Sequence, residues 1–127
     1  MVMKESIAQQ HILCEDWKRE LKFFKDDIAV LRKRLEEVAA KNTAQSVMAE
    51  VEHFENKFKI LDVHIDELLH DIQIKSDELS SQAATQAKYI NVKMNEADVL
   101  LEDLMLTNSK DFLETKNSYY KFLSKVL

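Results

Sequence analysis

The chain of 127 residues contains no glycine and no proline. Glycine permits the left-handed backbone conformations of many turns, and proline interrupts helices, so both residues are common where a chain changes direction. Their absence predicts an all-α protein made of long helices. It also excludes the glycine-rich phosphate loop and the nucleophile elbow, because both motifs require glycine.

Cysteine and long apolar runs are equally scarce. Cys14 is the only cysteine, so no disulfide can form within the chain, which fits a reducing compartment. Uninterrupted runs of strongly apolar residues are short, as at 99–101, whereas a membrane-spanning helix needs about 20 such residues. The N-terminus shows no charged-then-apolar secretory pattern. The sequence therefore predicts a cytoplasmic protein without a transmembrane segment.

Positive charge is in deficit. The net charge is -5, and residues 43–80 alone hold nine carboxylates against three lysines. A protein that binds nucleic acid through phosphates usually carries a basic surface, so nucleic acid is not an expected partner. The acidic middle segment is typical of a solvated helix face, and it could also meet a basic partner.

Two strict seven-residue patterns dominate what is present. The apolar positions of the first are Ile7, Cys14, Leu21, Ile28 and Leu35, with Trp17, Phe24, Leu31 and Val38 between them. Those of the second are Val47, Val51, Phe54, Phe58, Leu61, Ile65, Leu68 and Ile72. A repeat of 3.5 residues favours helices packed side by side at a shallow angle, with coiled-coil-like contacts. These patterns predict helices over residues 5–41 and 43–79.

The third segment is less regular. Polar residues interrupt the pattern near 75–86, and serines there could cap a helix, which predicts a turn at 79–82. The apolar positions that follow are Ala83, Ala87, Ile90, Met94, Ala97, Leu101 and Leu104, and then, after a shift of four, Met105, Phe112, Tyr119 and Val126. The pattern predicts a helix over 82–126, and an alternative breaks it at 107–109 into a third and a fourth helix. The predicted fold is one domain over 1–127, an antiparallel bundle of three long helices or, in the alternative, four.

Surplus apolar residues suggest a binding surface. Phe23 and Val30 lie seven residues apart but outside the first seam, meaning the row of apolar positions of the first seven-residue pattern. The end of the third helix is rich in aromatic residues. With the predicted boundaries this helix projects beyond its neighbours, and an exposed aromatic end needs a partner. The candidate partner-binding residues are Phe23, Val30, Phe112, Tyr119 and Tyr120.

The strongest chemical motif is a Glu-x-x-His spacing that occurs twice. Such pairs supply ligands to di-iron centres in four-helix bundles. The metal candidates are Glu50, His53, His64, Glu67 and His70. The two pairs lie 17 residues apart on one helix, or about 25 Å, so they cannot share one metal ion. The seam also places them on the outer part of the helix, which argues for a structural or incidental role.

The sequence thus favours a non-enzymatic interaction or scaffold protein that requires no cofactor. It would act by binding a protein partner or by self-association, of which a homodimer is the simplest case. A metal-binding bundle that uses His and carboxylate side chains is the alternative. A third interpretation is a bundle that opens on a lipid surface.

Overall fold

Three helices make up most of the protein. A computed structural model describes residues 4–42, 44–85, 91–93 and 96–127. Helix α1 spans Ile7–Lys41, α2 spans Gln45–Thr85 and α3 spans Glu96–Val126. Two short strands, β1 over Lys4–Ser6 and β2 over Asn91–Lys93, pair antiparallel. The predicted all-α class is confirmed, and the strand pair is a small addition that helical periodicity cannot reveal.

Polar contacts between the helices define their directions. From α1 to α2 the pairs are Lys18–Gln73, Lys25–Asp66 and Arg32–Glu55. The residue number falls on α2 as it rises on α1, so these two helices are antiparallel. From α1 to α3 the pairs are Glu20–Ser109, Asp27–Lys116 and Leu31–Tyr119, at a constant offset of 88 or 89 residues. Helices α1 and α3 therefore run parallel, and α2 runs opposite to both.

The predicted seams form the core. Every seam residue of α1 is buried except Trp17, which packs against the core, and in α2 the same holds for all but Val47. In α3 the buried apolar residues are Leu101, Met105, Phe112, Tyr119, Phe122 and Leu123. Leu104, predicted to face inward, is 41% exposed instead. The four-residue shift therefore moves the inward face from Leu101 directly to Met105.

Several predicted boundaries are wrong. Helix α2 continues past the turn expected at 79–82 to Thr85, because Ser76 and Leu79 are buried and keep the seam intact. The third helix begins at Glu96 rather than 82. The first begins at Ile7 rather than 5. Of the seam residues predicted before Leu101, Ala83 falls within α2; the placements of Ala87, Ile90 and Met94 and the side chain of Ala97 lie outside the described residues.

Helix α3 is continuous through 107–109. The shift in the apolar pattern is therefore absorbed within one helix, as such insertions are in coiled coils. The three-helix prediction is correct for the described chain, and the four-helix alternative is wrong.

The first turn lies between the two predicted helices, and Asn42 closes the end of α1. Its Nδ2 donates a hydrogen bond of 2.9 Å to the Val38 carbonyl. It therefore satisfies one of the last carbonyls of α1, which have no partner within the helix. Helix α2 begins with a hydrogen bond of 3.0 Å from the Met48 N–H to the Ala44 carbonyl.

Asn108 is a polar residue inside the seam of α3. It is 5% exposed, and neither its Oδ1 nor its Nδ2 has a hydrogen-bond partner among the described residues. An unsatisfied buried amide costs about 1–3 kcal/mol. We therefore expect Asn108→Leu, which keeps the branched shape, to raise the free energy of unfolding in urea by about 1–3 kcal/mol.

The matched control is Asn56→Leu, because Asn56 is exposed on α2. This substitution gains only helix propensity, about 0.5 kcal/mol or less. If Asn108→Leu gave no larger increase than Asn56→Leu, the amide of Asn108 would have to be satisfied in solution.

Candidate interaction surface

Beside the core, a row of polar side chains on α1 contacts a row on α3. Ser109 donates a hydrogen bond of 3.1 Å to Glu20 Oε1, and Lys116 Nζ lies 2.6 Å from Asp27 Oδ2. The hydrogen bond with Asp27 raises the pKa of Lys116, which stays charged. Of the three helix pairs, α1 and α3 approach each other least. The outer sides of these two helices therefore border a shallow groove.

Exposed apolar residues line the α1 side of this groove. Ile12, Phe23 and Val30 are 60%, 64% and 53% exposed. At 100° per residue they lie within about 20° of one another on the helix surface. Phe23 and Val30 lie three residues after Glu20 and Asp27, which contact α3. The apolar stripe that they form with Ile12 therefore lies about 60° outside the α3-contacting row of α1.

A second apolar stripe follows α3. Val99, Leu106, Leu113 and Tyr120 recur every seven residues, and each is between 42% and 64% exposed. Leu113 lies four residues after Ser109 and three before Lys116, or about 40–60° outside the row that contacts α1. Both stripes thus face the same side of the bundle. We call this surface, formed by the two stripes and the groove between them, the α1/α3 face.

The α1/α3 face is large enough to be an interface. The α3 stripe spans 21 residues, or about 30 Å, and two adjacent helices are about 20 Å wide. The projected area is about 600 Å², the lower end of what one partner contributes to a stable interface. The largest apolar patches on soluble proteins are often interaction sites.

The predicted partner-binding residues divide into two groups. Phe23, Val30 and Tyr120 lie on the α1/α3 face. Phe112 and Tyr119 are 2% and 0% exposed, so the structure buries them in the core instead. The predicted aromatic overhang is wrong, because α3 begins 14 residues later than expected and its C-terminal half packs beside both other helices.

Tyr119 is the centre of the aromatic core. Its ring lies edge-on to Phe54 and Phe58, with centroid distances of 5.7 and 5.3 Å. Its hydroxyl donates a hydrogen bond of 3.0 Å to the Leu31 carbonyl on α1. Burial raises the pKa of Tyr119, which favours the neutral phenol that donates this bond. Tyr119 therefore ties all three helices together.

The five metal candidates, Glu50, His53, His64, Glu67 and His70, are all exposed on α2. Two of them line a groove of about 390 Å³ between α2 and α3, together with Asp111 and Glu114 of α3. His53 and His64 are 11 residues, or about 16 Å, apart along the helix and cannot share an ion. Across the described part of the chain, no three His, Cys, Asp or Glu side chains converge as a metal site.

The α3 stripe is the feature that sequence reasoning missed. Its seven-residue period is visible in the sequence, but the buried seam of the same helix has the same period. Which of two parallel patterns faces solvent depends on where the neighbouring helices lie.

Comparison with protein-family models, curated proteins and solved structures finds no match for this chain. Among the described residues, no helix combines the length and apolar character needed to cross a bilayer. The interpretation of the α1/α3 face therefore depends on its own geometry and charge.

Proposed function

We propose that this protein is a non-enzymatic interaction or scaffold protein that acts through protein–protein contacts or self-association. The observation that supports the proposal is the α1/α3 face, where two apolar stripes on adjacent helices remain exposed. Covering such a surface removes apolar area from water and gains about 25 cal/mol for each Å² buried. A partner that covers both stripes would be held by this gain.

The core of the bundle does not require these stripes. Seam residues of all three helices already fill the interior, and aromatic rings bridge them, such as Phe24 and Phe112 stacked at 4.4 Å. The α1/α3 face is therefore apolar surface beyond what the fold needs. Selection for solubility opposes such surface unless it is covered in use.

The chemistry of the described residues also favours binding over catalysis. The buried polar residues there are Gln10, Ser76 and Asn108, so the described core holds no buried carboxylate. Carboxylates instead pair with cations between helices, as Asp62 does with Arg32 at 3.5 Å. With Cys14 buried and reduced, the protein suits a cytoplasmic setting.

The proposal is tested by light scattering over a wide concentration range and by affinity capture with immobilised protein. We expect either a mass of at least twice 14.9 kDa or a stoichiometric complex with a partner. Leu113→Lys, which places a charge in the middle of the α1/α3 face, should abolish that association. Ile60→Lys is the control, because Ile60 is 53% exposed on α2, away from this face. A monomer that binds no partner would contradict the proposal.

A further inference from the structure

We propose that the α1/α3 face binds the same face of a second copy, with the helices of the two copies antiparallel. The two-fold axis is perpendicular to the helices, lies between the two faces and is level with Leu113. This inference rests on the proposed function and adds the identity of the partner. The distribution of charge along the face supports it.

The two ends of the α1/α3 face carry opposite charge. The acidic end holds Asp16 and Glu20 of α1 and Glu102 of α3, with one cation, Arg19; Asp103 lies at its outer edge, about 40–60° beyond the α3 stripe. The basic end holds Arg34 and Lys41 of α1, with one carboxylate, Glu37; Lys121 lies at its outer edge, about 80–100° beyond the α3 stripe. A face with this polarity is complementary to itself when one copy is reversed.

The spacing of these charges matches a single two-fold axis. Asp16 and Arg34 are 18 residues apart on α1, and so are Asp103 and Lys121 on α3. Eighteen residues are five full turns, so each pair lies on one side of its helix. The midpoints are residue 25 on α1 and residue 112 on α3. With the observed offset of 88 or 89, residue 25 is level with 113 or 114, about 2 Å from residue 112 along the axis.

Rotation of one copy by 180° about a two-fold axis at this level, perpendicular to the helices, brings opposite charges together on both helices. Asp16 of one copy lies opposite Arg34 of the other, and Asp103 lies opposite Lys121. A two-fold axis along the helices would instead place α1 against α3. Asp16 would then lie level with Asp103, and Arg34 level with Lys121. Like charges in opposition disfavour that arrangement, which selects the antiparallel one.

The apolar stripe of α3 is symmetric about the same level. Leu113 meets its own counterpart on the axis, and Leu106 meets Tyr120 of the second copy seven residues to either side. On α1, Phe23 lies close to the axis and packs near Phe23 and Val30 of the second copy. Apolar contact thus supplies the stability of the pair, and the charged ends determine its direction.

Disulfide cross-linking tests the direction. Under mild oxidation we expect Leu113→Cys to form a covalent dimer, because residue 113 lies on the axis. Leu106→Cys alone should stay uncoupled, but a mixture of Leu106→Cys and Tyr120→Cys should cross-link. The buried thiol of Cys14 is common to all variants and serves as the background. Rapid cross-linking of Leu106→Cys with itself would place the axis level with residue 106, far from Leu113, and overturn the proposed register.

Charge exchange tests the ends of the face. Asp103→Lys places two lysines in opposition, and we expect it to weaken dimerisation at least tenfold at low salt. Lys121→Asp should do the same, and the double variant should recover most of the affinity, since the pair is restored with exchanged partners. Asp71→Lys, an equal change of charge at an exposed position of α2, is the control. Lack of recovery in the double variant would contradict the antiparallel register.

The outcomes separate this inference from the proposed function. A monomeric protein that captures a different partner, and loses it in Leu113→Lys, would overturn the self-pairing while the interaction function stands. A monomer without any partner would overturn both. A dimer that Leu113→Lys leaves intact would place the interface elsewhere and overturn the use of the α1/α3 face.

Discussion

Phe58→Ala is expected to lower the free energy of unfolding by about 3–5 kcal/mol, the usual cost of removing a buried aromatic ring. Phe58 is fully buried on α2, and its ring contacts Phe54 and Tyr119. Loss of the ring leaves a cavity between α2 and α3 that neighbouring rigid rings cannot fill. Urea or thermal unfolding followed by circular dichroism measures the change.

Ile60→Ala is the matched control for this prediction. Ile60 lies two residues further along α2 and is 53% exposed, so its truncation should cost about 1 kcal/mol or less. Equal losses in the two variants would mean that α2 does not present Phe58 to the core in solution, and the orientation of the helix would have to be revised.

Thr107→Pro is expected to cost at least about 3 kcal/mol, because proline inside a helix removes a hydrogen bond and clashes with the preceding turn. Thr107 lies in the exposed part of α3, midway along a helix that continues to Val126. Its side chain makes little contribution to packing, so the loss reports on the backbone. The measurement is again the free energy of unfolding.

Thr107→Ala separates the backbone effect from that of the side chain. Alanine is the best helix former, so this variant should match or slightly exceed the natural protein in stability. A four-helix arrangement with a break at 107–109 would tolerate proline there. A loss below about 1 kcal/mol in Thr107→Pro would therefore favour the break over the continuous helix.

The interior of α1 and α2 follows from the sequence because both seams are apolar and strictly periodic. The end of α2 does not, since Ser76 and Gln82 interrupt the apolar pattern and Ser76 resembles a capping residue when read locally. A helix tolerates a small buried serine when its neighbours Ile72 and Leu79 are fully buried, and only the packed structure shows that burial. Tertiary contact outweighs the local capping preference here.

The candidate surface was predictable in part. Phe23 and Val30 were identified because they lie outside a clear seam. Phe112 and Tyr119 were assigned to the surface because the boundaries of α3 were wrong, which displaced its C-terminal half relative to α1. Asp103 and Lys121 carry no signal on their own. Their pairing requires the offset between α1 and α3, which no property of the sequence provides.

The parallel arrangement of α1 and α3 has a consequence for folding order. Helices α1 and α2 are joined by a short turn, so their contacts close early and at little loss of chain entropy. Contacts such as that between Tyr119 and Leu31 join residues 88 positions apart. Because they close a much longer loop, we expect them to form after the contacts between α1 and α2. We therefore expect the α1/α3 face, which consists of residues of both helices, to be completed late in folding.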